Sequence, residues 1–162
     1  MTTSRSIRRP LLVAAALLAG AGTTLAVVPS ASADSPLRFS TVKVAENSTE
    51  FDGGPAGFSA GDGEIFVDDV QRGGRSIGSA AGSCTLALVS EARLVGLCSA
   101  TLTLADGSLT TQGVFDEDPG QGPAGLRWAV TGGTGRYSGA SGEAVGTFRP
   151  DSDVVDWVFH LD

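Results

Sequence analysis

Cys84-Thr85-Leu86-Ala87-Leu88-Val89-Ser90-Glu91-Ala92-Arg93-Leu94-Val95-Gly96-Leu97-Cys98 reads as two apolar strands folded back on each other at Ser90-Glu91-Ala92. In a hairpin centred on Glu91, residues equidistant from it face each other, which sets Cys84 opposite Cys98. Directly opposed positions are what a cross-strand disulfide needs. Closing a loop of this size stabilises a fold by about 3 kcal/mol, mostly by restricting the unfolded chain. Alternation puts Cys84, Leu86 and Leu88 on one face of the first strand. Leu94, Cys98, Ala100, Leu102 and Leu104 share a face of the second, the pattern of a half-buried sheet.

Outward from this hairpin the chain continues as short β-rich runs between clusters of Gly, Pro, Asp and Ser, with no helix-length apolar pattern. The runs are 39–44, 64–71, 75–89, 93–104, 108–115, 126–131, 142–149 and 154–161. Asp106-Gly107 suits a tight hairpin turn, and 116–125 reads as an acidic, Gly- and Pro-rich loop. The last run places Val155, Trp157, Phe159 and Leu161 on one face and Asp156, Val158 and His160 on the other. Gly82, Gly96 and Gly113 interrupt strand patterns and are read as bends or bulges. Eight short strands joined mostly by turns can hide their edges by closing. The expected fold is therefore all-β, an eight-stranded antiparallel β-barrel, with an interior sized for packed side chains or one small ligand.

The N-terminus has an export pattern. Arg5, Arg8 and Arg9 precede an apolar run from Leu11 to Val28, and Ala31-Ser32-Ala33 supplies a small-residue cleavage site. The expected organisation is a cleaved signal peptide over 1–33 and a single β-barrel domain over 34–162, with 34–60 partly loop. The signal carries three of the 11 basic residues and none of the 18 acidic ones, so the remainder has a formal charge of −10. Phosphate backbones and anionic lipid surfaces repel such a chain, which excludes nucleic acid as a partner and a membrane after cleavage. The expected location is secreted and extracellular, where Cys84 and Cys98 would be oxidised to a disulfide.

From about Gly61 onward the chain resembles the dirigent and allene oxide cyclase barrel superfamily. The carrying segment is Ala129-Val130-Thr131-Gly132-Gly133-Thr134-Gly135-Arg136-Tyr137, continuing Ser138-Gly139-Ala140-Ser141-Gly142. Asp62 with Phe66, Gly78 to Gly82 leading into Cys84, and Gly107 through Gly113 fit the same pattern. The resemblance implies an eight-stranded barrel, often a homotrimer, whose apolar cavity steers cyclisation or coupling of reactive organic intermediates. It also implies functional aspartates at the place of Asp68-Asp69. Neighbours in a regular strand point to opposite faces, so only one of the pair can enter a cavity unless a bulge intervenes. Where dirigent proteins carry Ala-Arg-Gly this chain has Ala140-Ser141-Gly142, which cannot supply the positive charge.

Several patterns suggest other chemistry without its requirements. Gly57-Phe58-Ser59-Ala60-Gly61 has the nucleophile-elbow spacing but no helix to follow it. His160 is the only histidine, so no multi-histidine metal site can form. The acidic groups 116–118 and 151–153 lack calcium-loop spacing. Neither metal nor cofactor is expected. The function expected is a secreted barrel that binds a small apolar organic molecule, in the manner of an allene oxide cyclase-like or dirigent-like cyclase or stereocontrol protein. The alternative is a non-catalytic ligand carrier, or an extracellular interaction protein with a filled barrel. Asp68, then Glu64 and Glu143, are the carboxylates expected to move a proton, and Phe66, Trp128, Tyr137 and Trp157 the rings expected to line the ligand.

Overall fold

A computed structural model describes residues 35–121 and 125–162. The export segment expected over 1–33 lies outside the described residues. Among the described residues nine strands run β1 Leu37–Val42, β2 Ser48–Phe51, β3 Gly63–Arg72, β4 Arg75–Val89, β5 Leu94–Leu104, β6 Gly107–Glu117, β7 Leu126–Gly135, β8 Gly142–Phe148 and β9 Val154–Leu161. From β3 to β9 each strand pairs antiparallel with the next, and β1 pairs with both β9 and β3. Eight strands therefore close into a barrel, as the alternation predicted, and closure removes the exposed edges that an open sheet would present.

The ninth strand, β2, has no counterpart in the sequence reading, which left 34–60 partly as loop. It continues β1 along the same edge of β3. β1 faces the end of β3 through Ser40–Gln71, Thr41–Val70 and Val42–Asp69, and β2 faces its beginning from Ser48–Phe66 to Phe51–Gly63. Lys43 to Asn47 leave the ladder between these stretches, partly as a 3-10 turn over Ala45–Asn47. That excursion spans Val67 and Asp68, and it becomes important for the site.

The Cys84–Cys98 disulfide forms, and the two cysteines are directly paired in register. Beyond Leu86 the register slips by one residue, so Leu88 turns outward instead of sharing the face of Cys84 and Leu86. A single bulged residue is enough to reverse a strand's parity. A second departure concerns Gly132 to Gly135, which the run 126–131 leaves outside the strand. β7 runs through them, paired with Gly107 to Thr110, and the turn proper follows at Arg136–Ala140. A Cβ on Gly133 would run into the Tyr137 and Ser108 carbonyl oxygens, and Gly135 has a φ of 59°. These glycines permit close backbone approach within a strand.

The loops 73–74, 105–106 and 136–141 gather at one end of the barrel, and 52–62, 90–93, 118–121 and 149–153 at the other. The first end is packed solid. Val70, Leu109 and Phe159 are fully buried there with Phe39, Leu102, Val130 and Tyr137 around them. Phe39 and Phe159 stack at a centroid distance of 4.8 Å. Tyr137 plugs this end with Asp106 beside its hydroxyl, and burial holds the phenol above its ordinary pKa.

Candidate functional site

The other end is open, and the cause lies in cross-strand pairs. Four inward-facing positions are glycines, each directly opposite an aromatic residue on the next strand: Phe66–Gly82, Phe115–Gly96, Trp128–Gly113 and Trp157–Gly146. A Cβ at any of these glycines would strike the partner's ring. Each ring therefore lies against the barrel wall over its glycine and does not reach across the lumen. Covering a strand glycine with a cross-strand ring is a recognised sheet device. Here it also keeps the interior hollow. The glycines read as bends are seats for rings.

The hollow has two parts. A cavity of about 700 Å³ opens at the mouth, walled by Phe51, Phe58, Leu86, Phe115, Trp128 and Phe148, with the Cys84–Cys98 disulfide in its lining. Beneath it lies a chamber of about 120 Å³ lined by Thr41, Phe66, Asp68, Leu102, Trp128 and Trp157. The larger volume falls within the range of roughly 300–1,000 Å³ of ligand pockets. The barrel is not filled. The two indoles meet at a centroid distance of 5.2 Å, and Trp157 is fixed by its Nε1–H donating to Thr41 Oγ1 at 3.0 Å.

Asp68 enters the chamber and Asp69 does not, as strand parity requires. Asp69 sits outside and accepts hydrogen bonds from Ser76 Oγ at 2.5 Å and Gln71 Nε2 at 2.7 Å, which hold it below the usual carboxylate range. Burial pushes Asp68 above that range. The Val44 backbone N–H, nearby Lys43 and nearby Glu64 modify the effect. One Asp68 oxygen and the Trp128 indole N–H are buried without a hydrogen-bond partner among the described residues. Orphaned buried polar atoms are rare and concentrate where function requires them.

Glu64 lines the mouth above Asp68, and the Lys43 ammonium lies 2.5 Å from its Oε1. Both groups that act on these acids, Lys43 and the Val44 N–H, come from the excursion between β1 and β2. Glu143 is elsewhere. It lies on the outer face of β8, ion-paired with Arg127, because its neighbour Ala144 takes the inward position. Tyr137 also lies away from the cavity, at the closed end. Of the seven expected site residues, the structure gathers Asp68, Glu64, Phe66, Trp128 and Trp157, and leaves Glu143 and Tyr137 apart.

Asp62 was missed as a site residue. It is buried at the start of β3, where it accepts from the backbone N–H of Ser59 at 2.7 Å and of Gly53 at 3.1 Å. The Leu86 N–H donates to its carbonyl, tying the loop to the end of β4. These bonds hold its carboxyl below the ordinary range and fix the loop carrying Phe58 over the mouth. The nucleophile-elbow look-alike at 57–61 is that loop. The signal in the sequence was an acid following a Gly- and Ser-rich stretch, the composition of side-chain-closed turns.

Residues 40–153 match the family described as the allene oxide cyclase barrel like domain. No curated protein matches the chain. Among solved structures, a pyocyanin demethylase is 23% identical over 78% of this chain and 99% of its own, with a TM-score of 0.67. The pterocarpan synthase dirigent protein PsPTS1 is 18% identical over 79% of this chain and 96% of its own, at a TM-score of 0.59. The Diels–Alderase AbmU from Streptomyces koyangensis is 21% identical over 78% of this chain but 62% of its own, also at 0.59. At such identities the likeness extends to the fold alone. The family match spans the closed barrel from the second half of β1 to the turn before β9, and on that ground the chain belongs to the allene oxide cyclase barrel-like family.

Proposed function

We propose that this protein is a secreted barrel that takes a small organic molecule into its open half and steers the molecule's cyclisation. The reading is carried by the ring-walled cavity of about 700 Å³ whose inner chamber presents one carboxyl group, Asp68. Flat walls confine a flexible substrate to a few folded shapes, and holding reacting atoms in register removes much of the entropic barrier. Asp68, raised by burial, lends a proton to a substrate oxygen as the ring closes and receives one back. Cyclisation is an isomerisation, so no co-reactant is consumed. Glu64 serves as a positioning residue, since its charge beside Asp68 is balanced by Lys43. The pyocyanin demethylase, dirigent protein and Diels–Alderase of the same fold support small-molecule chemistry in such a barrel. The export pattern and the disulfide support secretion.

Native mass spectrometry of protein purified from its own culture medium is the direct test, with a retained small molecule as the expected result. With that molecule or its precursor as substrate, Asp68→Asn should cut turnover by about 10²-fold or more. Glu143→Gln, on the outer face, should leave turnover unchanged. Full turnover by Asp68→Asn removes the acid–base role and leaves confinement by the walls as the source of catalysis, whereas release of the molecule unaltered by the unsubstituted protein leaves a carrier. Three like copies are the proposed assembly. The uncharged outer groove bounded by Ile65, Ala81, Ser83, Thr101, Thr110 and Gln112, with Val67, Leu97 and Val114 exposed nearby, supports contact between them. Light scattering on the purified protein measures their number.

A further inference from the structure

The fold sorts charge along the barrel axis. Arg72, Arg75 and Arg136 lie in or beside the turns of the closed end, with Arg136 paired to Asp106, whereas Glu50, Asp52, Glu91, Glu117 and Asp118 lie at the open end. The open end also has cations, but each is paired: Lys43 with Glu64, Arg93 with Asp116, Arg127 with Glu143 and Arg149 with Asp156. No lysine or arginine lines the mouth cavity, among the described residues, while Glu50, Asp52, Asp62, Glu64 and Glu117 do. Asp62 is engaged by backbone N–H groups and Glu64 by Lys43, which leaves Glu50, Asp52 and Glu117 facing the cavity beside Phe51, Phe58 and Phe115.

A cation held against aromatic faces and near carboxylates is favoured twice, by the ring quadrupole and by opposite charge, and both act more strongly where water is displaced. An anion in the same place meets only repulsion. The chamber below adds an independent sign of an absent ligand group. Trp128 is 6% exposed with its indole N–H unpartnered, and an Asp68 oxygen beside the same space also lacks a donor. A ligand N–H entering that chamber would serve the Asp68 oxygen and a ligand acceptor the Trp128 N–H, so these two groups point to a bound molecule while the carboxylates of the mouth set its charge.

We infer that the cavity selects an apolar organic cation, a flat N-heteroaromatic cation or a protonated amine on an aromatic frame, over neutral and anionic molecules of the same shape. This deepens the cavity-binding part of the proposed function and rests on it. Glu117 and Glu50 are specificity-determining residues, and the rings supply contact area common to all flat ligands. Burial among the apolar lining holds Glu117 above the ordinary carboxylate range, and a bound cation would relieve that.

The test uses three probes of matched shape on the purified protein at pH 8: N-methylacridinium, neutral acridine and anthracene-9-carboxylate. Isothermal titration calorimetry gives affinity. Quenching of tryptophan emission locates the probe, because both tryptophans of the chain, Trp128 and Trp157, line the chamber. The cation should bind about tenfold more tightly than acridine, and the carboxylate more weakly than either. Glu117→Gln and Glu50→Gln should each remove a few-fold of the cation's advantage and leave acridine unchanged. Raising salt should erode the same advantage in the unaltered protein, which requires no variant to fold. Equal affinities for cation and neutral ring, or a preference for the anion, overturn the charge inference while leaving the cavity reading intact. Failure of all three probes to bind overturns both.

Discussion

The two ends of this barrel are built from the same alternating strands and differ in what stands opposite each ring. At the closed end Phe39 and Phe159 stack on each other, and Leu109, Val70 and Val130 fill the remaining space. At the open end Phe115, Trp128 and Trp157 stand opposite Gly96, Gly113 and Gly146 and lie against the wall. Rings that meet other side chains build the core and rings laid over glycine wall the cavity, with Trp157, which faces Phe39 on β1 and Gly146 on β8, at the boundary. The residue facing an aromatic, more than the aromatic itself, determines whether that part of the barrel serves stability or binding.

The sharpest test of this contrast compares two truncations by urea unfolding. Phe159→Ala should cost about 3–5 kcal/mol, the range for a fully buried phenylalanine. Phe115→Ala, at the cavity wall, should cost less than about 2 kcal/mol, because the ring already faces open space. Equal losses would mean that the open half is core after all.

Removing the disulfide by changing both Cys84 and Cys98 to Ala should cost about 3 kcal/mol. Hydrogen exchange should then show amides around Leu86 losing protection relative to those around Leu109. A uniform loss would show that the staple serves both ends alike.

Gly113→Ala alters the contrast directly. The added methyl meets the Trp128 ring, which must leave the wall for the lumen. The expected cost is about 1–3 kcal/mol, with shifted tryptophan emission and weaker binding of flat probes. Unchanged emission would show that the ring has room to stay.

The smallest effect concerns the loop over the mouth. Asp62 has a lowered pKa in the fold, so its contribution is present above its unfolded value and is lost as pH falls through the folded value. Protection of the Ser59 and Gly53 amides should therefore decline in acid. Asp62→Asn should weaken that protection at neutral pH and remove its acid dependence, leaving the closed end untouched. Persistence of the acid dependence in the variant would assign it to another group.

Much of this arrangement was legible before any coordinates. The opposition of Cys84 and Cys98 followed from hairpin symmetry, and the division between Asp68 and Asp69 from strand parity. The inward set Val155, Trp157, Phe159 and Leu161 was a plain alternation. Glu143 was not placed correctly by the same rule. Parity says that Glu143 and Ala144 face opposite ways, but it does not say which way is in until the strand's neighbours are known. Leu88 was misplaced because one extra residue after Leu86 reverses every later side chain without leaving a mark in the pattern. β2 escaped notice because it is four residues long and joins the sheet only through β3.

The sequence by itself determined the eight strands of the barrel, the disulfide and the acidity of the chain, since these depend on residues near one another or on simple composition. Only the tertiary structure decided where the hollow lies, which carboxylates face it and how charge is sorted between the ends. Those features arise from contacts across strands, where a ring on one strand and the bare backbone of a glycine on the next jointly set the space between them.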